Sequence, residues 1–432
     1  MKQRVAFLTL GCRANQFDTA SISDAVEHDT ELVDFEDEAD VYVINTCTVT
    51  HRADANARNL IRKARRRNPD AKVIVTGCMA QTQPDAVAAI DGVDLVVGNS
   101  HKDRLPELLV DPERITHAPR IAVKKLGFKR QIPDLPKISR MQDKTRAFVK
   151  IQDGCDYSCT FCIITIARGA NASLSVDDLV DQVRRLGDAG FHEVVLTGVQ
   201  IGRYGHDLEP RTTLVDALRR LLDETDMPRI RLSSIDPREV GDDLIALMAD
   251  NPRICPHLHI PIQSGDDAIL LLMKRNHDRA FMRDLFGRIR DQIPDVMIGS
   301  DVIVGFPGEG PSEFDMTIDF VEQWIDHVHV FSYSDRPGTV ASGMDDKVPP
   351  EVIARRSQVL RDIGQRKRMA FGQRLVGRVE QVLTESRPTD DGLLAYTVHY
   401  MPVTVRGDVE PNRLVDVSID IEGEQLVGAI AR

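Results

Sequence analysis

No apolar run in the 432-residue sequence is longer than a strand, far short of the ~20 residues that a bilayer-spanning helix needs. The opening Met1-Lys2-Gln3-Arg4-Val5 has neither the apolar core nor the small-residue cleavage site of a secretory signal. A cytoplasmic protein with no membrane role is therefore expected. Convincing internal repeats and low-complexity tracts are also missing. Apolar residues at 42% and charged residues at 28% exclude a disordered or collagenous chain. The length suggests two or three domains.

Positive charge is in short supply. Fifty-five Lys and Arg stand against 67 Asp and Glu, a net of −12, which does not mark an obvious nucleic-acid binder. The distribution is uneven, however. Residues 24–40 hold nine acids and no base, residues 52–67 hold seven bases against one acid, and residues 351–374 hold seven against two. Local basic surfaces keep nucleic acid open as a partner.

Cysteine is scarce too, but its placement is informative. Seven residues, an odd number in a reducing compartment, with three inside eight positions, are poorly explained by disulfides. Metal ligation or redox chemistry explains them better.

The first segment alternates β-branched apolar runs (residues 4–10, 40–46 and 72–77) with helix-length stretches, which implies a parallel sheet. Residues 100–146 lose this rhythm and contain five prolines, as a linker does. A second α/β rhythm begins near 147, with strands expected at 148–151, 193–197, 229–234, 257–262, 297–304 and 328–334. It fits a partial barrel or a wide parallel sheet whose chemistry sits at the carboxyl ends of the strands. After a basic helix over 351–372, residues 375–383, 395–405, 413–421 and 425–430 read as a small all-β module. The expected division is 1–110, a linker over 111–140, a core over 141–371 and a terminal module over 372–432.

Cys12, Cys47 and Cys78 each follow one of the first three strands. Parallel strands bring their carboxyl ends to one rim, so the three thiols should converge. One such cysteine is ordinary packing; three in equivalent places suit an iron–sulfur cluster with one open iron better than zinc, which usually takes a fourth ligand or a water. Cys155, Cys159 and Cys162 form C-x₃-C-x₂-C in a loop after a strand. That spacing lets one loop wrap three thiolates around a [4Fe–4S] cube and leaves an iron open to a chelating molecule. Phe161 before the last Cys can stack on a ligand. A structural zinc site completed from elsewhere is the plainer alternative. Cys255 falls outside both sets and reads as packing. His257 and His259 alternate on one strand and read as hydrogen-bonded packing.

The C-x₃-C-x₂-C motif with its aromatic residue resembles the signature of radical S-adenosylmethionine enzymes. The rest of the chain resembles their methylthiotransferase branch. The resemblance is carried by Leu10-Gly11-Cys12-Arg13-Ala14-Asn15-Gln16, Asn45-Thr46-Cys47-Thr48, Thr76-Gly77-Cys78-Met79, Thr197-Gly198-Val199-Gln200, His257-Leu258-His259-Ile260-Pro261-Ile262-Gln263-Ser264-Gly265 and Gly305-Phe306-Pro307-Gly308-Glu309. It covers nearly the whole chain, and the terminal module resembles the RNA-binding TRAM barrel. Two departures stand out. Thr165-Ile166 replace a common Pro-Tyr before Ala167-Arg168-Gly169, and Gln200 replaces the usual asparagine.

The resemblance implies two [4Fe–4S] clusters, on the two cysteine trios, and S-adenosylmethionine. Reductive cleavage at the Cys155/Cys159/Cys162 cluster yields a radical that takes hydrogen from a substrate carbon. The Cys12/Cys47/Cys78 cluster carries the sulfur that a second S-adenosylmethionine methylates. Cofactor contacts are expected from Phe161, Arg168, Thr197, Gly198, Gln200, Ser233, Ser234, Gln263, Gly305 and Phe306. An electron donor such as flavodoxin or ferredoxin and a sulfur source are implied partners.

The opening motif is most similar to the branch acting on N6-threonylcarbamoyladenosine beside the tRNA anticodon. Isopentenyladenosine and a ribosomal-protein aspartate are the substrates of the other branches. A non-catalytic tRNA-binding protein with structural zinc is the rival from another class. Arg355, Arg356, Arg366, Lys367 and Arg368 are expected to touch phosphates. Tyr396 and Tyr400, with His399, are expected to stack on RNA bases. The helix of Arg58, Arg62, Lys63, Arg65, Arg66 and Arg67 is a weaker candidate for phosphate contact.

Overall fold

In the computed structural model, residues 2–118, 120–127, 132, 135–141 and 144–431 are described. The expected linker therefore lies partly outside the described residues. The first domain is a six-stranded parallel sheet built from β1 (Arg4–Thr9), β2 (Glu31–Val33), β3 (Val41–Thr46), β4 (Lys72–Gly77), β5 (Leu95–Gly98) and β6 (Ile121–Ala122). Its spatial order is β2-β1-β3-β4-β5-β6. Val41-Tyr42-Val43-Ile44 is buried throughout because helices cover both faces of the sheet. The helix His51–Arg67 starts where Thr50 accepts from Ala53 N and ends in Arg65, Arg66 and Arg67, cations suited to a helix carboxyl end.

The core contains six parallel strands in two main blocks: β7 (Arg146–Lys150), β10 (Glu193–Thr197) and β11 (Arg229–Leu232), then β12 (His257–His259), β13 (Met297–Val304) and β14 (His327–Ser332). Parallel bridges from Ile230 to Ile254 and from Ser234 to His259 join the blocks into a partial barrel with β7 and β14 at its edges. Short strands β8 (Gln152–Asp153) and β9 (Ala172–Ser173) pair beside the cysteine loop. The long helix Pro350–Gln373 packs on β14, where a side chain at Gly364 would collide with Val328.

The terminal module is a closed five-stranded barrel of β15 (Val379–Thr389), β16 (Gly392–Thr397), β17 (Pro402–Arg406), β18 (Leu414–Glu422) and β19 (Gln425–Ile430). The strand expected over 395–405 is in fact two strands joined by a turn, with Tyr400 at φ +68°. This module plugs the amino end of the core barrel. Arg231 donates to Val398 O at 2.8 Å, Arg229 to Gln381 O at 2.6 Å and Arg146 to Glu385 at 2.8 Å. Buried Glu193 neutralises the floor of the barrel through Arg231 at 2.7 Å.

The first domain covers the opposite, carboxyl end. Its Asp18 is buried against Lys102 at 2.8 Å, against Lys150 at the end of β7, and 3.7 Å from Arg168; Arg168 also meets Asp153 at 2.7 Å. Burial pushes the Asp18 carboxyl up, but Lys102, Lys150 and Arg168 outweigh it and hold it at about 2. Asp18→Asn should therefore destabilise the cluster-free chain by about 3–5 kcal/mol in denaturant melts, because buried cations lose their partner. Since the folded pKa is depressed, the wild-type stabilisation is present above about pH 4 and is lost as pH falls toward 2. The Asn variant should lack that pH-dependent component.

Candidate metal centres at the strand ends

Three neighbouring strands of the first domain end together: Thr9 pairs Asn45, and Thr46 pairs Gly77. Cys12 caps the helix that follows β1, Cys47 comes directly after β3, and Cys78 opens the helix after β4. Gly11 has φ +95°, and a side chain there would lie 2.6 Å from Cys47 Cβ and 2.9 Å from its Sγ. Only glycine lets Cys47 lean over the Cys12 turn. Burial, then the nearby Cys78 and Cys12, push the Cys47 thiol up to about 11. Asn99 Nδ2 lies 3.7 Å from Cys78 Sγ while donating to Ala167 O at 2.8 Å.

The second trio sits on the loop after β8. Burial pushes Cys155 up to about 12 and Cys162 up to about 11, with the neighbouring Cys159 adding to both. Tyr157 N donates to Cys155 Sγ at 3.3 Å. Arg275 Nη1 donates to Cys159 Sγ at 3.3 Å, held by its ion pair with Asp236 at 2.5 Å. Raised thiol pKa values are what an apolar pocket imposes without a metal; a bound metal reverses them. Two trios of converging thiols, with hydrogen-bond donors already aimed at the sulfurs, fit three-thiolate iron–sulfur ligation.

Arg168, on the helix after the second cysteine loop, reaches back to the first site. Its guanidinium bonds Asp153 and Asn15 Oδ1 at 2.5 Å and lies within Coulombic reach of Cys78 and Cys12. Gln200 takes a structural place beside the second trio: it accepts from Asp156 N at 3.3 Å and donates to Glu239 at 2.9 Å. Tyr157 also donates to Glu239, at 2.8 Å. Burial lifts that carboxyl to about 7, and its Oε2 is buried without a partner. Ser233 Oγ, at the end of β11, is likewise buried and unpartnered. Such orphan atoms at strand ends are what a polar ligand satisfies. Thr197 is buried, while Gly198, Ser234 and Gln263 (φ +66°) are partly accessible at neighbouring strand ends. The Thr165-Ile166 departure lies in the helix Ile164–Arg168, where Ile166 is exposed.

The remaining expected residues sit as follows. Phe306 is fully buried in a cluster with Ile269, Met273 and Ala341, against which Phe161 packs, so it is core. Gly305 abuts Ile353, whose side chain would meet an added Cβ at 2.3 Å. Arg356 is buried in an ion pair with Glu309 at 2.6 Å. Lys367 donates to Glu322 O at 2.5 Å, and Arg366 pairs with the Glu322 carboxylate. Arg368 is half-buried, and Arg355 is exposed. Tyr396 and Tyr400 stack on each other at 5.1 Å inside the plug, with Arg146 4.3 Å from the Tyr396 ring and Arg231 5.0 Å from the Tyr400 ring. His399 is buried. These rings face the core barrel. On the first basic helix, Lys63 and Arg67 pair with Glu36, and Arg65 pairs with Asp94, each at 2.5 Å.

Cys255 is buried as expected. Arg275, Asn99 and Glu239 carry no motif that marks them. Arg13 does, since it follows Cys12 directly. It crosses the barrel lumen to donate to Tyr400 Oη at 3.0 Å.

Residues 4–98 match the Uncharacterized protein family UPF0004, and residues 149–321 match the Radical SAM superfamily. A threonylcarbamoyladenosine tRNA methylthiotransferase MtaB from Aquifex aeolicus is 39% identical, over 96% of this chain and 100% of its own. The protein of the same name from Bacillus subtilis is 38% identical, over 93% and 90%. A tRNA-2-methylthio-N(6)-dimethylallyladenosine synthase from Acetivibrio thermocellus is 32% identical, over 98% and 90%. The solved radical S-adenosylmethionine methyltransferase TsrM from Kitasatospora setae shares the fold with a TM-score of 0.58 at 17% identity, over 79% of this chain and 77% of its own.

The hydrogen bond from Arg275 also yields a test. A cationic donor to a cluster thiolate favours the reduced form. With a cluster reconstituted on the second trio, Arg275→Leu should lower the midpoint potential in an EPR-monitored redox titration, with iron content unchanged.

Proposed function

The chain belongs to the radical S-adenosylmethionine methylthiotransferase family, and on that premise we propose that it replaces the C2 hydrogen of N6-threonylcarbamoyladenosine, 3′ to a tRNA anticodon, with a methylthio group. The observation that carries this reading is the pair of thiol trios, one at the ends of β1, β3 and β4 and the other on the loop after β8. Relatives named for that reaction, at 37–39% identity over at least 93% of the chain, support the substrate.

In this reading Cys155, Cys159 and Cys162 hold one [4Fe–4S] cluster, and Cys12, Cys47 and Cys78 hold the other. When bound, the first supplies an open iron and an electron for cleaving S-adenosylmethionine, and the second supplies sulfur. The protein's own residues supply position. Arg275 and Tyr157 N fix two of the second trio's sulfurs. Glu239 Oε2 and Ser233 Oγ are acceptors for the polar end of S-adenosylmethionine, alongside Gln200, Thr197, Gly198, Ser234 and Gln263 at the same strand ends. The first domain, clamped by Asp18, keeps water from the carboxyl end of the barrel. Exposed Arg52, Arg62, Arg66, Arg355 and Arg361 are candidate phosphate contacts that internal ion pairs leave over. The anticodon loop of tRNA, a flavodoxin- or ferredoxin-type electron donor and a sulfur source complete the reaction. No helix among the described residues is long and apolar enough to cross a membrane.

Full-length protein reconstituted without oxygen should bind about two [4Fe–4S] clusters. Nucleoside mass spectrometry should show one S–CH₃ gained for one H on threonylcarbamoyl-modified tRNA. With Cys12, Cys47 and Cys78 all changed to Ala, methylthiolated product should vanish while S-adenosylmethionine cleavage persists. Zinc in place of iron, or product only on dimethylallyl-modified tRNA, would overturn the proposal.

A further inference from the structure

Imidazole is concentrated inside the core barrel. Along a strand, alternate residues share a face. Tyr400 and Arg231 approach the lumen beside His257, whose ring lies 5.2 Å from that of Tyr400. His257 and His259 therefore share the lumen face of β12. Registers His259–Gly299, Gly299–His327 and Asp301–His329 put Gly299 and Asp301 of β13 and His327, His329 and Phe331 of β14 on the same side. Four histidines and one aspartate thus line adjoining strands. The absence of a side chain at Gly299 makes the room, since a Cβ there would lie 2.9 Å from His259 Nδ1.

Three of these groups form one cluster. His259 Nε2 lies 2.8 Å from Asp301 Oδ1, and His329 Nδ1 lies 3.2 Å from the same oxygen. Their rings are 5.0 Å apart. The His259 side chain is 12% exposed and that of Asp301 22%, but His329 is 52% exposed because β14 is the open edge of the barrel. Phe331, next on the same face, is 40% exposed. His257 Nδ1 and His327 Nδ1 are buried without partners. The cluster is anchored at its aspartate, and His329 carries it to the solvent-exposed edge of the barrel.

We propose that His259, Asp301 and His329 form the specificity pocket for the N6 substituent of the target adenosine, accepting a polar, carboxylate-bearing group and disfavouring a hydrocarbon. This inference rests on the methylthiotransferase reading and refines its substrate. His259 holds the Asp301 carboxylate, and His329, whose Nδ1 faces the same carboxylate, presents its Nε2 to the ligand. Neutral, that nitrogen accepts from a hydroxyl or urea N–H; protonated, it donates to a carboxylate. The threonylcarbamoyl group carries all three partners. A dimethylallyl group carries none and would leave these polar groups unpaired, which is how a site rejects an apolar analogue. Arg13 and Arg231, on the His257 side of the lumen, add positive charge to the same space.

The test uses full-length reconstituted enzyme and two tRNAs that differ only in the N6 substituent, threonylcarbamoyl or dimethylallyl. His329→Leu lies on the exposed edge and should fold; His259→Leu is the second variant. Iron content and S-adenosylmethionine cleavage without tRNA should match wild type. The expected result is a KM for the threonylcarbamoyl tRNA raised at least tenfold with kcat within about threefold, and a kcat/KM ratio between the two tRNAs shifted at least tenfold toward dimethylallyl. A ratio unchanged within twofold in both variants would overturn the pocket while leaving the methylthiotransferase reading intact. One divalent ion per chain beyond cluster iron, lost on His329→Leu, would also overturn it in favour of a metal site. Wild-type enzyme inactive on threonylcarbamoyl tRNA would overturn the proposed function and the pocket together.

Discussion

A single carboxylate, Asp18, fixes the relation between the two thiol sites. It sits on the helix that Cys12 caps, and it is buried against cations from three distant segments: Lys102 after β5, Lys150 at the end of β7, and Arg168 behind the second cysteine loop. Removing a charge from water is costly unless it is paired at close range. None of the four can therefore move away without the others paying that cost. The arrangement holds the rim of the first sheet over the mouth of the core barrel. With Asp153, the five groups sum to +1 (three cations against two carboxylates), and Arg168 places that charge within reach of Cys78 and Cys12. Thiolates at that rim meet a positive environment built into the domain boundary.

The other end of the barrel is closed by a comparable device. Glu193 lies among Arg146, Arg229 and Arg231, and the arginines also donate to terminal-barrel carbonyls and to Glu385. A module whose family resemblance implies RNA binding thus uses its Tyr396–Tyr400 turn as a stopper. Arg13 then joins the two ends by reaching from the Cys12 turn through the lumen to Tyr400. All three domains meet along one line of polar groups, and the lumen histidines lie beside it.

How much of this was legible depended on whether a local pattern or an encounter between distant segments decided the outcome. The cysteines at strand ends were legible because β-branched runs declare strands and parallel pairing forces their ends together. The terminal all-β module was legible for the same reason, apart from the break at Tyr400. The fate of Tyr396 and Tyr400 was not, since an aromatic turn reads alike whether RNA or another domain covers it. Arg275 and Glu239 act through partners more than 80 residues away, and nothing local marks them. Arg356 was legible in principle. Leu360 and Ile363, four and seven positions on, are buried on the same helix face, so the helical period itself assigns Arg356 to the interior. Phe306 carries the equivalent lesson, because a Gly-Phe-Pro turn serves a core as readily as a ligand.

The acidic balance of the chain bears on how it meets RNA. Each basic cluster faces acids on a neighbouring element: Glu36 and Asp94 beside the helix His51–Arg67, Glu322 and Asp295 beside the helix Pro350–Gln373. Paired arginines release few counterions from a phosphate backbone, so they contribute little nonspecific affinity. The exposed remainder includes Arg52, Arg62, Arg66, Arg355 and Arg361. On the proposed reading, discrimination falls to what the target nucleoside finds inside the barrel. Polar chemistry in that lumen then matters more than charge on the surface, because His257 Nδ1 and His327 Nδ1 there are buried without partners and His259 is largely shielded from water.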